Sequence, residues 1–228
     1  MSQLKKFSFN IRSTIYLNNQ INFQSNDDIQ NAFKDFKDNQ IISCVDYFPK
    51  IKQVECHIYS YPYRLKDYQR VTNNFLDGFF QYIREISLLD ESSFEHEFFL
   101  RIAQLFPNMK ILTLINDQPQ KNKLYSQSKN NNHDSSITRY LHLTELDLSE
   151  PYNDYIEEFI IDSKTCLPNN VELSVDYETL KRMTQDFTTT TIQVNCTQLI
   201  SLTLYDKYPI QKYVKDYFPR ANIFSLDE

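Results

Sequence analysis

Residues 143–148 have the sequence Leu-Thr-Glu-Leu-Asp-Leu, and this short string decides how the chain is expected to fold. Side chains alternate between the two faces of a strand, so the last two leucines share one face and Asp147 lies on the other. Two similar strings stand at residues 83–88 (Ile-Arg-Glu-Ile-Ser-Leu) and 199–204 (Leu-Ile-Ser-Leu-Thr-Leu). The sequence therefore contains a repeated strand pattern.

Four more units begin at a proline and end in the same apolar-polar-apolar triplet. They occupy residues 49–56, 107–114, 168–175 and 219–226. In all seven units the residue between the last two apolar positions is polar: Glu55, Ser87, Thr113, Asp147, Ser174, Thr203 and Ser225. Successive units are about 22 to 34 residues apart, and a leucine-rich repeat takes about 20–29 residues.

Helical patterns stand between the units, as in Phe94, Phe98, Ile102 and Leu105. We therefore predict an α/β fold, an irregular leucine-rich-repeat-like solenoid whose short parallel strands alternate with helices. Residues 1–46 would form an N-terminal cap segment and residues 47–228 the repeat domain. The Asn or Cys that normally follows the repeat strand is absent, since those positions hold Tyr59, Glu91, Asp117, Pro151, Glu178 and Lys207. An ordinary α/β sheet is the structural alternative.

The composition limits the classes of function. A net charge of -6 would repel nucleic acid, and no apolar run approaches the ~20 residues that cross a membrane. We expect a cytoplasmic or nuclear protein that binds neither nucleic acid nor a membrane.

Gly78 is the one glycine in the chain, whereas phosphate-binding loops and nucleophile elbows need several. We therefore expect no cofactor.

Two places invite a catalytic or metal-binding interpretation. Cys56 stands beside His57, and His96 stands between Glu95 and Glu97. Neighbours in a strand point to opposite faces, and helix residues two apart do not share a face, so neither group converges on a ligand. We predict a buried cysteine, an exposed His57, no metal site and no enzyme activity.

The outward strand positions give the binding hypothesis. In the fourth and fifth units they include Glu145, Asp147, Glu172 and Asp176, and we add Tyr205 of the sixth unit to this partner-binding set. Acidic side chains on one surface would attract a basic segment of a partner protein. The alternative is an ordinary solvated charged face.

A run of tyrosines, Tyr59-Ser-Tyr-Pro-Tyr63-Arg64, also has two interpretations. Tyr and Arg are enriched at binding hot spots, which would make it an exposed recognition loop. Packing in the core followed by a proline turn is the other interpretation.

Several strings resemble the repeat portion of F-box/leucine-rich-repeat-like proteins. They include His57-Ile-Tyr-Ser-Tyr-Pro-Tyr63, Phe94-Glu-His-Glu-Phe-Phe-Leu100 and His142-Leu-Thr-Glu-Leu-Asp-Leu148. The resemblance extends from about Asp38 to the C-terminus. It implies substrate recognition by the repeats, and docking of the Skp adaptor of a cullin ubiquitin ligase by an F-box near the N-terminus. An F-box usually opens with Leu-Pro-x-Glu, and residues 1–46 contain no proline. A stand-alone scaffold and an unrecognised enzyme are the other two classes of function.

Overall fold

A computed structural model describes residues 8–17, 28, 31–32, 40–75, 78–121, 137–161, 164–188, 194–206 and 211–226. Its strands are β1 (Asn10–Tyr16), β2 (Gln40–Phe48), β3 (Gln53–Tyr61), β4 (Asp67–Val71), β5 (Glu85–Leu89), β6 (Ile111–Asn116), β7 (Thr138–Arg139), β8 (Glu145–Pro151), β9 (Thr165–Cys166), β10 (Val171–Asp176), β11 (Leu199–Tyr205) and β12 (Asn222–Leu226). The helices are α1 (His96–Leu105), α2 (Asn153–Ile156), α3 (Tyr177–Met183), α4 (Val194–Gln198) and α5 (Lys212–Tyr217), and a π-helical segment (Glu157–Ile161) continues α2.

The larger sheet of the structure is parallel and has seven strands, with the strand order β12-β11-β10-β8-β6-β5-β4. Its register follows the repeated apolar positions, because Leu146 of β8 stands opposite Leu112 of β6 and Leu173 of β10. These leucines are at most 1% exposed. Each fully buried leucine contributes about 1.5–3 kcal/mol, so the aligned rows provide much of the stability.

The N-terminal strands form a separate three-stranded antiparallel sheet, in the order β1-β3-β2. Strands β2 and β3 make a hairpin in which Phe48 pairs with Gln53. The backbone N–H of Lys52 donates to the Pro49 carbonyl (3.3 Å), and Lys52 adopts a left-handed φ of 51°. The proline here therefore begins a reversal of the chain.

The predicted leucine-rich-repeat-like solenoid is wrong. Residues 49–56, the first predicted unit, form the β2–β3 turn and part of an antiparallel strand. Helices are few and short in the described residues, and β4 runs parallel to β5 where no unit was predicted. The structure is a mixed α/β arrangement of a parallel and an antiparallel sheet. The predicted boundary between residues 46 and 47 lies within β2.

One hydrophobic core lies on a single side of the parallel sheet. It joins the inward side chains of the strands to buried residues of the helices, such as Phe99 of α1, Leu180 of α3 and Val214 of α5. Residues 122–136, between β6 and β7, lie outside the described residues. The opposite face of the sheet carries the polar middle positions of the units in β5, β6, β8, β10 and β11. In β12 the expected orientation is wrong, because Ser225 pairs with the inward Leu204, whereas Phe224 and Leu226 lie on the outward face and are about half exposed.

Candidate protein-binding face

The outward face of the parallel sheet carries many polar side chains, beside apolar ones such as Ile111, Ile115 and Phe224. The polar side chains include Glu85, Ser87, Thr113, Glu145, Asp147, Glu172, Ser174 and Thr203. None of these belongs to the hydrophobic core that the described residues form. Parallel sheets are usually covered on both faces, so a polar face outside the core is a feature that packing alone does not explain.

Carboxylates cluster along one cross-strand row of this face. Asp67 pairs with Glu85, Glu85 with Ile111, Ile111 with Glu145, and Glu145 with Glu172. Neighbouring strands are about 4.8 Å apart, so the row from Glu85 to Glu172 spans about 14 Å. We call Glu85, Glu145, Asp147 and Glu172 the acidic cluster.

The four carboxylates repel one another. Partial burial raises the pKa of Glu145, and the charges of Glu172, Asp147 and Glu85 raise it further. Among the described residues, none of the four forms an ion pair with Lys or Arg. Within the described part of the chain, no ion pair therefore neutralises the negative charge of the cluster.

All five residues predicted to bind a partner lie on this face. Glu145 and Glu172 are directly opposite each other, and Asp147 stands one row further along, opposite Ser174. Asp176 and Tyr205 are paired at the far end of β10 and β11. The structure thus groups Glu145, Asp147 and Glu172, and leaves the other two residues at the end of the strands.

Two of the five already make hydrogen bonds within the fold. Asp147 accepts hydrogen bonds from the backbone N–H and the hydroxyl of Ser149 (3.0 and 2.7 Å). Asp176 caps α3 by accepting from the backbone N–H of Thr179 at 2.8 Å. Glu145 and Glu172 make no such bond in the described structure, which makes them the freer pair for a ligand.

Glu85 and Asp67 complete the row, and the sequence interpretation did not include either. The signal for Glu85 was present, since Ile-Arg-Glu-Ile and Leu-Thr-Glu-Leu place Glu85 and Glu145 at the same unit position. Asp67 is the first residue of β4, which matches no unit, so the repeated pattern could not have identified it.

The Cys56–His57 candidate has a different role. His57 is 8% exposed and Cys56 is half-buried, so the expectation of a buried cysteine beside an exposed histidine is wrong. His57 shares its sheet face with Cys44, and its neighbour Cys56 is paired with Val45. Burial, followed by the nearby charge of Arg12, lowers the pKa of His57 to about 3. The imidazole is therefore neutral at physiological pH.

A directed chain of hydrogen bonds fixes the His57 tautomer. Nε2 lies 2.6 Å from Oδ1 of Asn10, an acceptor, so Nε2 carries the hydrogen. Nδ1 then accepts from the Tyr68 hydroxyl at 2.7 Å. Asn10 Nδ2 donates to the Tyr63 hydroxyl (2.9 Å), which donates to the Asp67 carbonyl (3.1 Å). The chain joins β1 and β3 to β4 and occupies both ring nitrogens.

The tyrosine run packs inside the molecule. Tyr59 is 1% exposed and Tyr63 is 3% exposed. Their rings meet edge to face at 5.0 Å, and both contact Phe80. The core-packing interpretation is confirmed for these two residues.

His96 pairs with a residue far from its sequence neighbours. Its Nδ1 lies 2.5 Å from Oε1 of Glu158, a fully buried carboxylate in the π-helical segment. No group of three or more His, Cys, Asp or Glu in the described part of the chain could hold a metal ion.

The comparisons with known proteins found no matching family model, no matching curated protein and no matching solved structure. The resemblance to F-box/leucine-rich-repeat-like proteins therefore stays a prediction. Within the described residues, no helix is long and apolar enough to span a membrane.

Proposed function

We propose that the protein is a non-catalytic recognition module whose acidic cluster binds a basic segment of a partner protein. The observation that carries this proposal is the row of like charges on a sheet face that lies outside the core. Maintaining such charges opposite one another costs stability, because like charges on neighbouring strands repel. A cationic partner would offset that cost.

The geometry supports an extended partner segment. The row from Glu85 to Glu172 spans about 14 Å, which an extended chain covers in about four to five residues at ~3.3 Å each. Lys or Arg side chains at alternate positions of such a segment would face the carboxylates. Complementary charge would speed association and select basic over acidic sequences.

Charge reversal of the cluster tests this proposal. The triple variant Glu145→Lys, Asp147→Lys and Glu172→Lys is used as bait in affinity purification beside the wild-type chain. We expect proteins captured by the wild type at low salt to be lost by the variant, since surface electrostatic attraction is removed. Retention of the same proteins by the variant would contradict the proposal.

A matched control separates the site from net charge. Glu97, Glu178 and Asp216 are exposed acids on helices, and their reversal to Lys makes the same total change in charge. This control variant should capture the wild-type set of proteins. Equal loss in both triple variants would assign the effect to net charge and overturn the site.

The same experiment distinguishes the downstream roles. We place the protein in the cytoplasm or nucleus, where Skp and cullin subunits would be accessible partners. Their recovery with the wild-type chain would make it the substrate-binding part of an F-box-type ligase receptor. Recovery of other partners without them would make it a stand-alone scaffold.

A further inference from the structure

A cavity of about 260 Å³ lies at the junction of the two sheets, and no residue of the acidic cluster lines it. Its floor is one face of the antiparallel sheet, where two cross-strand rows meet: Arg12–His57–Cys44 and Thr14–Glu55–Asp46. Tyr68, Arg70 and Phe75, from β4 and the turn after it, form the opposite wall. The cavity is smaller than the ~300–1,000 Å³ of sites for drug-sized ligands, so it suits a small molecule.

Asp46 is a buried carboxylate that forms no ion pair with a cationic side chain of the described residues. It is 8% exposed and accepts hydrogen bonds from Thr72 Oγ1 (2.6 Å), Asn74 Nδ2 (3.4 Å) and Cys44 Sγ (3.4 Å). None of these donors carries a positive charge, and burial raises the pKa of Asp46. A buried charge without a partner is costly, so an ammonium group entering the cavity would be stabilised here.

Arg12 supplies the opposite charge at the other side of the cavity. Its Nη1 donates to the Gln69 carbonyl at 2.9 Å, and its guanidinium carbon lies 5.0 Å from the centre of the Tyr68 ring. No carboxylate of the described residues pairs with it. A guanidinium has five N–H donors, so Arg12 retains donors for a carboxylate.

The other two charged residues that line the cavity, Arg70 of the wall and Glu55 of the floor, neutralise each other. Arg70 pairs with Glu55. Arg70 adopts a left-handed φ of 57° within the register shift of β4, and its backbone N–H donates to Ser87 Oγ at 2.8 Å. Irregularities of this kind redirect side chains. One cation, Arg12, and one anion, Asp46, are left for a ligand.

We propose that this cavity binds a small dipolar molecule with an ammonium group and a carboxylate at opposite ends of an aliphatic chain. The ammonium would contact Asp46 and the carboxylate Arg12, with methylene groups against Tyr68 and Phe75. Strands β1 and β2 flank β3, and Asp46 lies two residues along β2 from the row that contains Arg12, so the Cα atoms of the two charged residues are about 12 Å apart. This separation favours ω-amino acids over α-amino acids.

Isothermal titration calorimetry of the whole chain with a series of ω-amino acids tests the proposal. The probes are glycine, γ-aminobutyrate and ε-aminocaproate, with n-butylamine and butyrate as singly charged controls. We expect saturable binding of the two longer amino acids. Glycine and the singly charged compounds should bind about tenfold to a hundredfold more weakly, the loss expected for one charged hydrogen-bonded contact.

Variants locate the binding. Asp46→Asn and Arg12→Gln should each weaken γ-aminobutyrate binding about tenfold or more, whereas Asp216→Asn on α5 should leave it unchanged. Arg12 is exposed, so Arg12→Gln tests the site even where Asp46→Asn fails to fold, which circular dichroism detects. The absence of saturable heat with every probe, equal binding of n-butylamine, or unchanged binding in Arg12→Gln would overturn the proposal.

Discussion

Gly78 has a steric role in the structure. A Cβ atom built on it would lie 2.7 Å from Cε2 of Phe80, closer than real contacts allow. The Phe80 ring is fully buried and stacks on Phe106 at 5.1 Å, so it has little room to move. The close approach of the Phe80 ring explains why this position holds the chain's one glycine.

We expect Gly78→Ala to lower the free energy of unfolding by about 1–3 kcal/mol, the usual cost of overpacking a core. Urea unfolding followed by circular dichroism measures it. Phe79→Ala is the control, because the Phe79 side chain is 53% exposed and should contribute little. Equal stability of Gly78→Ala and the wild type would contradict the packing described for Phe80.

His57 makes stability depend on pH. Its pKa is about 3 in the folded chain and about 6.5 when unfolded, so between these values the unfolded state binds an additional proton. The free energy of unfolding should therefore fall as pH falls from 6.5 towards 3, by up to about 1.4 kcal/mol per pH unit. Above pH 6.5 this contribution is constant.

Urea unfolding at pH 7, 6 and 5 tests the His57 contribution. The variant His57→Gln should lose less stability than the wild type over this range, whatever its stability at pH 7. His142→Gln, at an exposed position, should retain the wild-type slope. Identical slopes for His57→Gln and the wild type would mean that His57 is not held neutral.

At the scale of elements, α1 and the π-helical segment are joined by a buried pair. Glu158 is fully buried and bonds His96 through Oε1, while its Oε2 has no hydrogen-bond partner among the residues that the structure describes. Burial, and then the charge of Glu158, raises the pKa of Tyr140. Breaking such a pair from one side leaves an uncompensated buried group.

We expect His96→Leu to lower the free energy of unfolding by about 3–5 kcal/mol. The double variant His96→Leu/Glu158→Met should be more stable than His96→Leu alone, because it also removes the carboxylate. A double-mutant cycle in urea measures the coupling. Additive effects of the two single changes would show that the pair is not coupled.

The acidic cluster makes a prediction that needs no partner. Glu145→Gln should raise the free energy of unfolding by a few tenths of a kcal/mol at pH 7, since like charges on neighbouring strands repel. The folded state raises the pKa of Glu145, so the gain should disappear as pH falls below its unfolded value of 4.5. Unfolding curves at pH 7 and 4 check this, and a gain equal at both pH values would contradict it.

The strands of the parallel sheet were largely predictable, but the way the chain assembles them was not. Apolar residues at alternating positions identify a strand from local sequence alone, and six of the seven units form strands of this sheet. The first unit, residues 49–56, has the same apolar positions but does not join this sheet. Its pairing depends on the Pro49–Lys52 turn, which folds β3 back against β2. The spacing of apolar residues predicts that a segment is a strand, but it does not predict whether that strand pairs in the parallel or the antiparallel direction.

At the scale of the whole molecule, the candidate site was easier to predict than its surroundings. Outward positions follow from strand alternation, so Glu145, Asp147 and Glu172 were identified from sequence and are neighbours in space. The His57 chain links residues up to 58 positions apart, Asn10 and Tyr68, which no local pattern reveals. The residues that line the cavity at the same junction also come from distant parts of the sequence, from Arg12 to Phe75.

The most direct test of the proposed function is the binding of a labelled basic peptide of about twelve alternating Lys and Ser residues, followed by fluorescence anisotropy. We expect saturable binding to the wild type that weakens as salt rises from about 0.05 M to about 0.3 M. Reversal of Glu145, Asp147 and Glu172 to Lys should weaken it about tenfold or more, while reversal of Glu97, Glu178 and Asp216 should have little effect. Equal affinity of the wild type and the first triple variant would contradict the claim that the acidic cluster is the binding site.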